Sequence, residues 1–183
     1  MKATEILIKE HIIIKENMRS MKNLIEEGNK INAIQYSEFI QFVRLYADKL
    51  HHAKEEDIYF AWMLKHRPQL QMGPIGVMLH EHNLGRNYMS LAEQALETMD
   101  TEALNLNILN FITLLNAHID KENGILYQIA EQIDVQTKDG DEVMMPGFHS
   151  VQSELSDIEE KYHKDVTVPS IESFNTGIGC HAG

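Results

Sequence analysis

Cysteine is nearly absent from this chain: of its 183 residues, only Cys180 carries a thiol. A single cysteine cannot form an intrachain disulfide, which fits a reducing compartment, and we expect a cytoplasmic protein. Because the candidate helical core contains no cysteine, the sequence argues against an iron–sulfur cluster or a structural zinc site held by thiolates.

Long apolar runs and clusters of positive charge are also missing. No apolar stretch reaches the roughly 18 residues that a membrane-spanning helix needs. Glu5 and Glu10 interrupt the apolar pattern at the N-terminus, which argues against a signal peptide. The formal net charge is −12, and Lys and Arg form no stripe of the kind that binds nucleic acid. We therefore expect no membrane partner and no nucleic-acid partner.

What the chain does have is helical periodicity in four long segments. Apolar residues recur with the 3.6-residue period of an amphipathic helix, and Gly28 and Pro68 supply stop signals. There is no clear alternating strand pattern, so we predict an all-α fold, an up-down four-helix bundle with a C-terminal extension. The predicted helices cover about 4–27, 37–65, 73–99 and 101–133.

The polar run at 137–141 marks the expected end of the bundle. We assign residues 1–135 to the bundle and residues 136–183 to the extension. The extension is expected to contain a loop at Met144 to Gly147, a short amphipathic helix at Glu154 to Lys164, and an extended or mobile tail from Val166 to Gly183.

A histidine and a glutamate stand four residues apart at two places, His51/Glu55 and His118/Glu122. Residues four apart on a helix lie one turn apart on the same face. Two lone histidines add to these pairs: His82 lies within the apolar stripe of the third helix, and His11 lies at the edge of the first. A single histidine on such a face is usually a hydrogen-bonded core residue, but four of them with two carboxylates are costly to bury unless cations neutralise them.

The second helix offers a choice between His51/Glu55 and His52/Glu56. With Val43 as the reference direction and about 100° per residue, His51 lies about 80° away and His52 about 180° away, on the outward side. We therefore predict that His51 and Glu55 point inward. The same arithmetic puts Lys54 near the centre of the apolar stripe, where it could snorkel or bond a carboxylate.

The remaining histidines are expected to be solvated. Cys180 and His181 are adjacent, but two adjacent ligands do not define a metal site, and we expect them to lie in a flexible tail. The histidines assigned to the surface are His66, His80, His149 and His163.

Imidazole and carboxylate ligands suit iron, and also manganese or zinc. Glutamates that bridge two ions would hold them a few ångströms apart and leave open positions for a diatomic ligand or peroxide. The sequence thus predicts a two-metal site lined by six residues, which are His11, His51, Glu55, His82, His118 and Glu122.

These residues and their flanks resemble the hemerythrin-like (HHE cation-binding) domain family, a four-helix bundle with a non-haem di-iron centre. The resemblance covers about residues 5–135 and rests on four separated elements in the right order and spacing. Beyond the six residues, the matching stretches are Lys54-Glu55-Glu56-Asp57-Ile58-Tyr59-Phe60, Met78-Leu79-His80-Glu81-His82-Asn83-Leu84-Gly85-Arg86 and Glu122-Asn123-Gly124-Ile125-Leu126-Tyr127.

The resemblance implies that the four histidines are terminal iron ligands and that Glu55 and Glu122 bridge two irons. There is one departure: the oxygen-carrying members have a further histidine one turn before the third-helix ligand, where this chain has Met78. One iron would then have fewer protein ligands, which shifts the expectation away from reversible oxygen transport and toward the bacterial-type members.

The sequence therefore favours a carboxylate-bridged di-iron protein that binds or reacts with O2, NO or peroxide, in sensing, iron handling or stress protection. Whether it turns over peroxide or NO as an enzyme is left open, and so is the identity of a protein redox partner. A rival hypothesis is a metal-responsive interaction or signalling module that acts through the C-terminal segment. The simplest alternative is a helical bundle whose histidines are structural.

Overall fold

Local capping signals fix where the long helices begin. Asn32 accepts a hydrogen bond from the Gln35 amide while the Gln35 side chain accepts one from the Asn32 amide, a reciprocal capping box. Asp100 caps its helix by accepting from the Ala103 amide at 3.0 Å. Pro74 occupies the first turn of the preceding helix, where its missing N–H costs nothing.

A computed structural model of the chain describes residues 2–28 and 30–162, which form six helices and no strand. Two of the helices change their hydrogen-bonding pattern along their length and consist of several segments. The helices are α1 (Ala3–Glu26), α2 (33–66, made of Ala33–Phe42, Val43–His52, Glu55–Tyr59 and Phe60–His66), α3 (Pro74–Glu97), α4 (101–137, made of Thr101–Lys121, Glu122–Leu126 and Tyr127–Thr137), α5 (Gly140–Glu154) and α6 (Ser156–Tyr162). A short 3-10 turn at Pro68–Met72 joins α2 to α3.

The buried apolar residues form two separate cores, and the order in which the chain visits them gives the topology. Helix α1 runs from the second core to the first, α2 runs back, α3 returns and α4 runs back again. This alternation is an up-down bundle, and the predicted all-α fold is confirmed. The first core includes Ile14, Met18, Phe42, Tyr46, Leu50, Met89, Ile108, Phe111 and Leu115, and the second includes Leu7, Tyr59, Met63, Ile75, Met78, Leu126, Tyr127, Ile133 and Phe148.

Three segments are π-helical: Val43–His52 and Glu55–Tyr59 in α2, and Glu122–Leu126 in α4. A π-helix bonds each N–H to the carbonyl five residues back, so each residue turns the chain by less than in an α-helix. All three segments contain or adjoin residues of the predicted site. Within them, a side-chain direction that is counted over many residues with the α-helical period becomes inaccurate.

The extension packs on the bundle. The prediction of a loop at Met144 to Gly147 is wrong, because these residues lie inside α5. Met144 and Phe148 are buried in the second core, and a Cβ on Gly147 would come within 3.0 Å of the Ile58 side chain. Gly147 therefore marks a close helix contact, and Pro146 lies inside the same helix. The expected tail from Val166 to Gly183 lies outside the described residues.

In the part of the chain that the structure describes, no helix combines the length and the apolar character needed to cross a membrane.

Candidate metal centre

A layer of polar side chains separates the two apolar cores. It lies midway along the four long helices, and its side chains are almost completely shielded from solvent, although they are ionisable. Burial of this kind costs several kcal/mol for each unpaired charge, so the layer must be internally satisfied or bind a cation. Its buried members are Glu10, His11, His51, His52, Lys54, Glu55, His82, His118 and Glu122.

The potential ligand atoms fall into two groups that share Glu55. Within each group, the nitrogen and oxygen atoms lie within 4.8 Å of one another. The structure thus brings all six sequence-predicted residues together and adds His52. We name the groups by their residues: site A contains His11, His51, Glu55 and Glu122, and site B contains His52, Glu55, His82 and His118.

Four of the histidines turn Nε2 toward the centre and donate a hydrogen bond from Nδ1 to a side chain of a neighbouring helix. An ionised carboxylate or an amide oxygen only accepts, so Nδ1 carries a proton in each of the four rings and Nε2 is the nitrogen presented to the centre. The pairs are His11 Nδ1 with Asn123 Oδ1 (2.9 Å), His51 Nδ1 with Glu10 Oε2 (2.9 Å), His82 Nδ1 with Glu56 Oε1 (2.7 Å) and His118 Nδ1 with Glu81 Oε2 (3.0 Å).

Inward-facing Nε2 atoms approach each other closely. The distance is 2.9 Å between His11 and His51 and 3.0 Å between His82 and His118. Two lone pairs at this distance repel unless a proton or a cation lies between them. Two ligands at right angles, each roughly 2.1 Å from a shared ion, lie about 3 Å apart, so both distances fit a pair of metal ligands.

The two glutamates present unsatisfied oxygens to the same space. Both carboxylate oxygens of Glu122 and the Oε2 of Glu55 are buried and make no hydrogen bond within the described chain. Glu122 Oε2 lies 3.3 Å from His11 Nε2 in site A, and its Oε1 lies 3.1 Å from His118 Nε2 beside site B. Buried oxygens are rarely left unpaired, and this placement suits a carboxylate that bridges two cations.

Electrostatics separate the two carboxylates. Burial, reinforced by the nearby charge of Glu122, raises the pKa of Glu55 well above its ordinary value. Burial also acts to raise the pKa of Glu122, but His118 and His11 outweigh it and hold that pKa well below the usual range. Without a cation, Glu55 therefore favours its protonated form and Glu122 its ionised form, and a metal must compete with a proton for Glu55.

The histidines divide in the same way. Burial lowers the pKa of His51, His52 and His82 below the ordinary imidazole value, so they are neutral and can act as ligands. Burial acts to lower the pKa of His118 too, but Glu122 and Glu81 outweigh it and leave that pKa raised. A metal at site B must therefore compete with a proton for the His118 imidazole.

His52 corrects the prediction from sequence. The α-helical period directs it outward, but it is only 5% exposed and stacks on His82 with a ring separation of 3.8 Å. The prediction assumes an α-helix, whereas Val43–His52 is π-helical and turns His52 inward. Site B therefore has three imidazoles although Met78 stands where a further histidine was expected.

Most of the residues that orient the ligands were not predicted from sequence. In two places a glutamate directly before a ligand histidine reaches across to the histidine of the next helix: Glu10 holds His51, and Glu81 holds His118. Glu10 also pairs with Lys54, the residue before Glu55. In the same way, Glu81 pairs with Lys121, the residue before Glu122. The signal in the sequence that could have indicated these residues is the repetition of two dipeptides, Glu-His and Lys-Glu, around the ligands. Arg86 supports the other side through Asp48 and Glu56.

The other histidines lie apart from the centre. His80 and His149 are exposed, and His66 is partly buried with its Nε2 3.5 Å from Asp139 Oδ2. His163 and the Cys180-His181 pair lie outside the described residues.

Comparison with known proteins agrees with the geometry. The family model of the hemerythrin HHE cation-binding domain matches residues 2–130, well over half of the chain and all seven residues of sites A and B. No curated protein and no solved structure gave a significant match. The chain belongs to the hemerythrin HHE cation-binding domain family.

Proposed function

We propose that this chain holds two iron ions in sites A and B and binds or reacts with O2, NO or peroxide there. The observation that carries the proposal is the set of potential ligand atoms at the centre: pairs of imidazole Nε2 atoms 2.9 and 3.0 Å apart, and three buried carboxylate oxygens without hydrogen bonds among the described residues. A structural polar cluster would satisfy these atoms internally. Two cations satisfy them together.

The residues fit the group. Site A would use His11, His51 and oxygens of Glu55 and Glu122. Site B would use His52, His82, His118 and the same two carboxylates as bridges. Nitrogen and oxygen donors without thiolates suit iron, with manganese or zinc as competitors for the same ligands. Iron bound here would supply a change of oxidation state and a coordination position for an exogenous ligand.

The surroundings favour a very small ligand. A narrow crevice beside site B has room for about one molecule the size of water, and its lining includes His52, His82, Gly85 and Phe111. A Cβ on Gly85 would lie 3.4 Å from the Phe111 ring, in van der Waals contact with it. A space of this size excludes an organic substrate and admits only a very small molecule. Sensing, iron handling and protection from oxidative or nitrosative stress are the roles we propose, in the cytoplasm.

Ligand binding to iron-loaded protein tests the proposal. We expect NO added to the anaerobically reduced form, and azide or peroxide added to the oxidised form, to change the iron absorption bands with saturation. Zinc-loaded protein is the matched control, because it has the same ligands but no such bands, and it should remain unchanged. If the iron-loaded spectra are indifferent to all three additions, the proposed function is wrong.

A second candidate is a metal-responsive interaction module, favoured by the packing of the extension. Tyr162 of α6 contacts the rings of Phe42 and Tyr46 on α2, close to the π-helical segment that carries His51 and His52. A shift of that segment on metal binding would reach α6. We expect limited proteolysis within 143–162 to slow when metal is bound. Identical cleavage in the metal-free and metal-loaded forms would remove this candidate.

A further inference from the structure

His52 lines the crevice beside site B, and one of its ring nitrogens has no partner. The residue is 5% exposed, and its Nδ1 makes no hydrogen bond within the described residues. Asp48 Oδ1 lies 3.5 Å from this nitrogen, which is too far for a good hydrogen bond. Because a buried nitrogen is rarely left without a partner, the space between these two side chains is a candidate for a bound group.

The distance between Asp48 and His52 suits two ligands of one divalent cation. Two ligand atoms at the tetrahedral angle, each roughly 2.1 Å from a shared ion, lie about 3.4 Å apart. The two residues are four apart on α2, and both line the crevice. The Asp48 side chain is 24% exposed, so it can meet a hydrated ion at the surface. His52 already belongs to the ligand group of site B.

The charges around the crevice allow one cation to replace another at Asp48. Arg86 donates to Asp48 Oδ1 from Nε at 2.8 Å and from Nη2 at 2.7 Å, and the same Nη2 lies 2.7 Å from Glu56 Oε1. An arriving ion can therefore displace Arg86 from Asp48 while the guanidinium stays with Glu56. The other arginine of the crevice, Arg44, is held by both oxygens of Glu93 and so opposes a cation less.

We propose that Asp48 and His52 form a transient binding site for a divalent cation, through which metal enters site B. The proposal rests on the proposed function, because site B must itself bind a metal ion. The crevice has room for about one molecule the size of water, so an ion must lose most of its hydration shell before it passes. Asp48 and His52 replace part of that shell at the entrance, which divides the desolvation cost between two steps.

The test is the rate at which metal-free full-length protein binds cobalt(II), followed by stopped-flow measurement of the visible cobalt bands. Cobalt(II) stands next to iron(II) in the affinity order of the divalent metals. The phase that is missing from His52→Gln reports the filling of site B, because this variant lacks a ligand of that site. We expect Asp48→Asn to slow this phase by roughly tenfold, since the carboxylate no longer concentrates cations at the entrance. The final cobalt content should match the wild type.

Two variants separate an entry site from a structural contact. Arg86→Met breaks the same contact with Asp48 but removes the group that competes with the ion, so it should make the phase faster. Glu93→Gln removes a carboxylate from the neighbouring arginine pair, and Glu93 is not among the residues that line the crevice. Its side chain is 39% exposed, so salt screens its charge, and the rate should change by less than about twofold.

The outcomes separate the two proposals. With normal cobalt content, equal rates for the wild type and Asp48→Asn, or equal slowing in Glu93→Gln, overturn the entry site alone. A phase in Arg86→Met that is no faster than in the wild type also overturns it, because the effect of Asp48→Asn would then reflect lost packing. So does a His52→Gln variant that retains every phase. A wild-type protein that binds neither cobalt nor iron overturns the proposed function and the entry site together.

Discussion

Replacing Lys54 by methionine should lower the free energy of unfolding of the metal-free protein by about 3–5 kcal/mol. Lys54 is completely buried, and its Nζ pairs with Glu10, whose other oxygen accepts from His51. Methionine fills a similar volume but leaves the Glu10 carboxylate buried without its cation. Breaking a buried ion pair from one side is costly because the remaining charge cannot be hydrated.

The chain provides a matched control in Lys121, which pairs with Glu81 in the same arrangement on the other side of the centre. The Lys121 side chain is 39% exposed, so water can replace the lost partner. Lys121→Met should therefore cost at most about 1 kcal/mol.

Urea unfolding measures both losses of stability as shifts of the urea concentration at the midpoint, with an unchanged m-value. Adding Glu10→Gln to Lys54→Met should recover part of the loss, because the uncompensated charge is then gone. Equal losses for Lys54→Met and Lys121→Met would contradict a buried, charge-dependent role for Lys54.

The bundle, and the meeting of the six candidate residues at its centre, were predictable from sequence because both depend on helical periodicity. His51/Glu55 and His118/Glu122 are spaced one turn apart, and a pair so close in sequence keeps its relative direction when the helix geometry changes slightly. His82 lies in a regular α-helix, where the period is reliable over a long distance. The family resemblance added the expectation of iron, and the family membership itself is confirmed.

The rest could not be predicted where tertiary structure overrides local signals. The direction of His52 is counted over nine residues from Val43, and the small error per residue in a π-helical segment accumulates over that length. A loop was expected around Pro146 and Gly147 because proline and glycine usually mark loops in a sequence. Burial of Phe148 and the close approach of Gly147 to Ile58 stabilise a helix there instead.

Glu122→Ala should abolish binding of both metal ions. Among the residues that the structure describes, Glu122 is the one carboxylate whose separate oxygens lie next to histidines of both sites, 3.3 Å from His11 Nε2 and 3.1 Å from His118 Nε2. Its removal takes a negatively charged ligand from each ion, and two cations bound near each other without it would repel strongly. The metal-free variant should still fold, since it loses a buried group that makes no hydrogen bond within the described residues.

His52→Gln provides an intermediate case. His52 belongs to site B only, and its Nδ1 makes no hydrogen bond within the described residues. The substitution should therefore weaken the binding of the ion in site B and leave the binding of the ion in site A unchanged. Lys121→Met lies outside both sites and should retain both ions. Circular dichroism on each variant would show that the helices are intact.

The most direct measurement is iron content per chain after gel filtration, recorded with the absorption spectrum for the wild type, His52→Gln and Glu122→Ala. The two-site structure predicts two irons in the wild type with near-ultraviolet bands of a bridged pair, about one iron in His52→Gln, and none in folded Glu122→Ala. A wild-type protein without stoichiometric metal, or a Glu122→Ala variant with unchanged metal content, would contradict the two-metal centre.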